Sequence, residues 1–273
     1  MHNKRLKVCS LSFIIISIST YCIYQESIKN NTITITTSEE AYQIKEVLYE
    51  AEGVKGYYPQ VISGTTKEKM AVWNEIIKDD FNKIVNTYSF APYSDLQGTF
   101  PGAKTSMLEI DYNVTLLNNQ FMSIFYTAVF QNPYSPYPTE LVYTTNIDTK
   151  KDTRLRLEDF ILLDLNFART LKDWEYTTTG PSEKEWEPII KDILSNMENE
   201  FLLKGLKAAD QIASDNILGI YSYLTAEKLG ISIAVPNFVG DHAELEKKYI
   251  DIKNYLNPIY EWNFDKKVIL PTL

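Results

Sequence analysis

Apolar and polar positions alternate along the chain with two different periods. Tyr42–Tyr49 and Lys55–Ile62 read as strands, with Gly53 between them. Thr65 to Val85 switches to helical spacing. Met70, Trp73, Ile77, Phe81 and Ile84 form one stripe, and Thr65 with Glu68 has the form of a capping box. Strand patterns resume at Thr105–Leu117 and Gln120–Gln131, separated by Asn118-Asn119, a hairpin signal. Glu140–Ile147 and Thr153–Leu157 follow, parted by the polar turn 148–152.

The second half mixes both periods. Leu162 to Trp174 predicts a short helix. Ser182 to Leu206 predicts a longer one, with Pro188 confined to its first turn. Ile220–Leu224 and Ile231–Val235 read as strands, and Tyr249 to Leu273 as strand-like pieces around Pro258. Thr32–Thr36 fits either an edge strand or a Thr-rich stalk. Together these elements predict an α+β fold: an antiparallel β-sheet meander with two main helices packed on it. Residues 26–150 form one α+β subdomain and 151–273 a second, closely joined to it.

The first 25 residues stand apart. Lys4, Arg5 and Lys7 precede an uncharged run from Val8 to Tyr24, the form of a secretory signal peptide or membrane anchor. The run is shorter than the ~20 apolar residues of a spanning helix. Cleavage, lipidation at Cys22 as in a lipoprotein, and retention all remain open. The chain is therefore expected outside the cytoplasm, secreted or held at the cell membrane by its N-terminus alone. Cys9 and Cys22 are the only cysteines and both lie in this segment. The exported part has no disulfide framework, which suits a Gram-positive cell surface.

The net charge is −9, and removing the three N-terminal cations leaves −12 for the exported part. Such a surface repels nucleic acid and attracts cationic partners. Chemistry-bearing motifs are sparse. One histidine, His242, follows the N-terminal segment, which excludes zinc motifs built on two or three His. It sits in Gly240-Asp241-His242-Ala243-Glu244, where Asp-His is a conceivable general base, or a metal ligand set with Glu244 and Glu246; a solvated loop is the simpler reading. No Gly-x-Ser-x-Gly elbow and no Gly-x-Gly loop occurs, so no cofactor is implied. Glu109 with Asp111, on one face of a strand, and Glu158-Asp159 are the carboxylate pairs a glycan-cleaving or glycan-modifying enzyme would need. Tyr57-Tyr58-Pro59 and Tyr134-Ser135-Pro136-Tyr137-Pro138 set rings on stiff backbone, suited to sugars or proteins.

The order of several short motifs is familiar. Tyr58-Pro59-Gln60-Val61-Ile62 precedes a helix carrying Trp73-Asn74-Glu75-Ile76-Ile77. Asp148-Thr149-Lys150 and Leu155-Arg156-Leu157-Glu158-Asp159-Phe160 follow the meander, and Tyr223-Leu224-Thr225 and Gly240-Asp241-His242 come late. Over about residues 40 to 260 this resembles the extracytoplasmic domains of unknown function of RsiV, a lysozyme-sensing anti-sigma factor. It is similar, too, to a domain of PdaC-type peptidoglycan deacetylases. Where those domains carry a Gly-Gly-Ala-His-like loop, this chain has residues 132–137. The resemblance implies the sensing or wall-binding half without an effector. The expectation is a cell-envelope binding protein with no catalytic residues of its own, whose partner is cell-wall glycan or a cationic protein such as lysozyme. Tyr134, Tyr137, Asp241 and His242 are its candidate contact residues.

Overall fold

The computed structural model describes residues 32–36, 41–88, 107–131, 135–177, 183–212, 216 and 218–262. The N-terminal segment with both cysteines, Tyr134, and the chain after Trp262 lie outside the described residues.

The first half builds a seven-stranded sheet in the order β1-β2-β3-β4-β5-β6-β7. Its strands are β1 Thr32–Thr36, β2 Ala41–Ala51, β3 Val54–Ser63, β4 Met107–Leu117, β5 Phe121–Gln131, β6 Thr139–Asp148 and β7 Thr153–Leu155. All neighbours are antiparallel except β3 and β4, which pair parallel over Val54–Gly56 and Leu108–Ile110. The sheet is thus mixed, where the strand pattern predicts an antiparallel meander. The connection from β3 to β4 carries helix α1 (Lys67–Thr87), and a crossover of that kind joins parallel strands.

The stripe on α1 is buried as its spacing predicts: Trp73, Ile77, Phe81 and Ile84 are inaccessible or nearly so. They cover a cross-strand row formed by Tyr49, Gly56, Ile110, Ala128 and Leu141. Gly56 is required there, because a Cβ would come within 2.8 Å of the Phe81 ring. The helix cap is Thr66, one residue after the expected Thr65. Its hydroxyl accepts from Lys69 N at 3.3 Å, while Glu68 stays in the first turn, where the helix dipole favours an acid. Asn74 exchanges two hydrogen bonds with the Val61 backbone, at 2.8 and 2.9 Å. Val61 lies beyond the short β3–β4 pairing, so a helix side chain stands in there for a strand.

The second half builds a four-stranded antiparallel sheet, β8-β11-β10-β9, from β8 Glu175–Thr177, β9 Tyr221–Leu224, β10 Lys228–Ala234 and β11 His242–Lys248. Leu229, Ile231 and Ile233 with Ala243 and Leu245 give it one apolar face. Short helices α2 (Leu157–Phe160), α3 (Leu165–Thr170), α4 (Glu187–Asn196) and α5 (Asn199–Lys207) complete that core through Phe160, Phe167, Ile190, Leu194, Leu202 and Leu206.

The single helix expected over Ser182–Leu206 is divided. Met197 and Glu198 are extended, and the Lys172 ammonium bonds the Ser195 and Met197 carbonyls at 3.2 and 2.8 Å. Capturing those carbonyls stabilises a helix end. Pro188 sits in the first turn of α4 as expected. The tail from Tyr249 to Tyr255 forms 3₁₀ turns rather than strand pieces. Tyr260 and Trp262 then stack around Phe121, with centroids 5.1 and 5.4 Å from its ring.

Strand β9 ties the two halves together. Leu224 N donates to Ser123 Oγ at 2.9 Å, and Asn146 Nδ2 donates to the Ser222 carbonyl at 2.8 Å. The Tyr223 and Tyr221 rings pack edge-on against Phe125 and Tyr143.

Candidate functional site

Period 2 sends the row beside Gly56 to the opposite face of the large sheet. Glu50, Lys55, Glu109, Val129 and Glu140 are cross-strand partners in succession, so they form one line across five strands. Glu50, Glu109, Val129 and Glu140 are all exposed. Asp111 stands two residues along from Glu109 on the same face. Burial and the charge of Asp111 raise the Glu46 carboxyl to about 7. This face therefore carries five acids, with Leu48, Met107 and Val129 exposed among them.

The line ends at a junction with the small sheet. Asp241, held at φ 66°, accepts the Glu140 amide hydrogen at 2.9 Å and two contacts from Asn237 Nδ2 at 3.1 Å. His242 opens β11 instead of lying in a solvated loop. Its Nδ1 is 2.6 Å from Glu244 Oε1, and its Nε2 is 3.9 Å from Glu140 Oε2. Burial opposes protonation of this imidazole. The Glu244 hydrogen bond, with the charges of Glu244, Glu140 and Asp241, outweighs that, and its pKa lies above the ordinary value.

His242, Glu244 and Glu246 alternate along β11 and lie opposite Ala234, Ser232 and Gly230. Ser232 Oγ donates to Glu244 at 2.9 Å. The hydroxyl thus bonds the carboxylate and not the imidazole, an order that does not activate a serine nucleophile. Lys228 bridges Glu246 and Glu175 at 2.9 and 3.1 Å, and Tyr223 Oη donates to Glu246 at 3.1 Å. The Tyr223 ring lies directly on Gly230. Among the described residues, no group of three His, Cys, Asp or Glu side chains is placed to hold a metal ion.

A second polar constellation is internal. Asp210 accepts from Ser222 N, Ser222 Oγ, Leu157 N and Thr144 Oγ1 at 2.6, 2.7, 2.7 and 3.2 Å. Burial lifts its pKa to about 6 although these bonds favour the carboxylate. Four donors saturate it, and its place is the seam between the two halves.

Of the sequence-predicted contact residues, the structure brings Asp241 and His242 to one corner. Tyr137 stands three residues before Glu140, whose amide Asp241 holds, and its ring is 68% exposed. Asp241 is not the hydrogen-bond partner of His242 in this arrangement; Glu244 is, because residues two apart share a strand face. The Glu109–Asp111 pair lies on the open sheet face. In the other pair Asp159 is used as a cap, accepting Arg156 N at 2.7 Å ahead of α2. Phe238, 71% exposed beside Asn237, was not singled out by sequence. The Pro236 and Gly240 that flank its turn are the signal that marks it.

The family-like motifs turn out to be joints. Asp148 Oδ1 accepts from Lys150 N and Lys151 N, both at 2.9 Å, and Asp152 accepts the Trp73 indole hydrogen at 2.8 Å. Thr225 closes the β9–β10 turn on Lys228.

No protein-family model and no curated protein matches the sequence. Among solved structures, a DUF3298 family protein from Pseudomonas aeruginosa PAO1 is similar at 12% identity and a TM-score of 0.43, covering 85% of this chain and 97% of that one. A member of the same family from Bacteroides fragilis is similar at 12% identity and a TM-score of 0.45, covering 84% and 96%. The structural similarity of this chain is thus to DUF3298 proteins, the family of the extracytoplasmic domains that its motifs resemble.

Proposed function

We propose that this chain is an exported cell-envelope binding protein that holds a cationic protein, of which lysozyme is the type, on its acidic sheet face. The observation that carries this reading is the line Glu50, Lys55, Glu109, Val129, Glu140, with Asp111 beside Glu109 on the same exposed face. Acids set in rows on a rigid sheet, with exposed apolar side chains between them, suit a basic protein surface. Charge complementarity of this kind steers encounter and fixes register. The basic and apolar N-terminal segment supports a location outside the cytoplasm. Among the described residues no helix is long and apolar enough to cross a membrane.

The test is calorimetric titration of the full-length chain with lysozyme at low salt. The triple variant Glu50→Gln, Glu109→Gln, Glu140→Gln is expected to bind at least roughly tenfold more weakly and with a shallower salt dependence. Equal binding by wild type and variant, or none by wild type, rejects the reading. Sedimentation with purified cell-wall sacculi is the second arm. Binding there, with none to lysozyme, would make cell-wall glycan the partner.

A further inference from the structure

We propose that Lys55 selects the partner: a cation set inside the acid line, it admits a basic surface interrupted by an acidic side chain and rejects a uniformly basic one. This rests on the reading above and adds what the partner's surface must carry.

Strand register places Lys55 between two acids. Its cross-strand neighbour on β2 is Glu50, and its neighbour on β4 is Glu109. Adjacent strands lie roughly 5 Å apart, so the three side chains rise from one face side by side. From Glu46 on β2 to Glu140 on β6, Lys55 is the one cation among the described positions of this face.

A lysine in that place has two carboxylates within reach, and it pairs with neither. Its ammonium lies over the Tyr57 ring, 5.9 Å from the centroid. Tyr57 stands two residues along β3 on the same face and is half-buried, which holds the ring in place. The face of a ring attracts a cation, at a strength comparable to an exposed ion pair. The positive charge is thereby displaced along the strand, and Glu50 and Glu109 stay exposed and without an ion pair among the described residues. A lysine that served only to neutralise its neighbours would bond one of them.

The face therefore presents a pattern of signs. It runs negative at Glu50, positive at Lys55, negative at Glu109, apolar at Val129 and negative at Glu140. The backbone fixes these positions, so a mismatched partner cannot be accommodated by sliding single residues. Where two surfaces dock and exclude water, like charges brought together repel far more strongly than they do in solvent. A uniformly basic surface sets a cation against Lys55. A surface with an acid at that point gains a pair there and keeps its bases for Glu50 and Glu109. Selection of this kind needs the repulsive element as well as the attractive ones.

The experiment is calorimetric titration of the full-length chain with lysozyme and with hexa-lysine at low salt. Lys55→Glu is expected to weaken lysozyme binding roughly tenfold and to tighten hexa-lysine binding by a similar factor. Lys55→Gln should move both in the same directions by less. It also covers the case in which a third acid beside Glu50 and Glu109 disturbs the sheet, and circular dichroism verifies the fold of each variant. If both ligands bind the variants more tightly, Lys55 only dilutes the negative charge; the selection is wrong while the acidic-face reading stands. Unchanged affinities for both ligands overturn it equally. If wild type does not bind lysozyme, the acidic-face reading fails and the selection fails with it.

Discussion

Asp210 takes both hydrogens that Ser222 can offer, the amide at 2.6 Å and the hydroxyl at 2.7 Å. A residue just beyond α5, at φ 63°, thereby fixes the start of β9, the strand that lies against the large sheet. The Leu157 amide and the Thr144 hydroxyl bring α2 and β6 to the same carboxylate. One side chain thus ties α2 and one strand from each sheet, β6 and β9, to the segment that follows α5.

Asp210→Ala leaves those buried donors unpaired and is expected to cost about 3 kcal/mol or more. The effect should depend on pH. The folded pKa is raised from 3.8 to about 6, so the folded state keeps its proton where the unfolded chain has lost it. The contribution of this group is full below pH 3.8 and declines as pH rises to about 6. Denaturant unfolding at a series of pH values should show the gap between wild type and variant narrowing over that window. A gap that widens with pH would contradict the assignment.

Arg154 clamps α1 to β7. Its guanidinium lies 2.8 Å from Asp80 Oδ1 and from Asp79 Oδ2, with Nε bonding Asp80 Oδ2 at 3.0 Å. Asp80 is buried, and burial raises its pKa despite the arginine. Arg154→Met should therefore destabilise by about 3 kcal/mol, because it strands a buried carboxylate. Adding Asp80→Asn should recover most of the loss. A double variant as unstable as the single one would show that packing, not charge, sets the cost.

Gly230→Ala places a Cβ 2.0 Å from Tyr223 Cζ. The ring is wedged between β10 and Phe125 and has little room to move. A loss of about 1–3 kcal/mol in thermal or denaturant unfolding is expected. Full wild-type stability would mean that Tyr223 is not seated on this glycine.

His242 is a titration marker for the corner. Its pKa is raised above 6.5, so its stabilising contribution is complete below pH 6.5 and is lost as pH rises through the folded value. Glu244→Gln removes the nearest charge and should lower the imidazole pKa, since burial then opposes protonation with less to offset it. Imidazole chemical shifts measured against pH in wild type and variant decide this. An unshifted midpoint would place the controlling charge elsewhere.

Much of the large sheet was legible because one physical rule governs it. Where a strand has one face in the core, apolar residues recur at period 2, and where a helix covers it they recur at about 3.6. Trp73, Ile77, Phe81 and Ile84 are buried for that reason. The strand β11 was harder to see. His242-Ala243-Glu244-Leu245-Glu246 offers Ala243 and Leu245 to the core and three polar residues to the other face, and a strand with only two apolar positions resembles a loop. The break at Met197 was hidden because the apolar stripe continues across it. Lys172, distant in sequence, holds the interrupted helix end.

The sequence by itself determined the two periodicities, the order of the main elements and the acidic charge, since these depend on composition and on residues near one another along the chain. The tertiary structure decided which acids share a surface and which residues meet His242. Those relations come from strand register, from the parallel β3–β4 pairing, and from β9 packing on β5 and β6. Each depends on contacts between residues far apart in sequence, which local pattern does not encode.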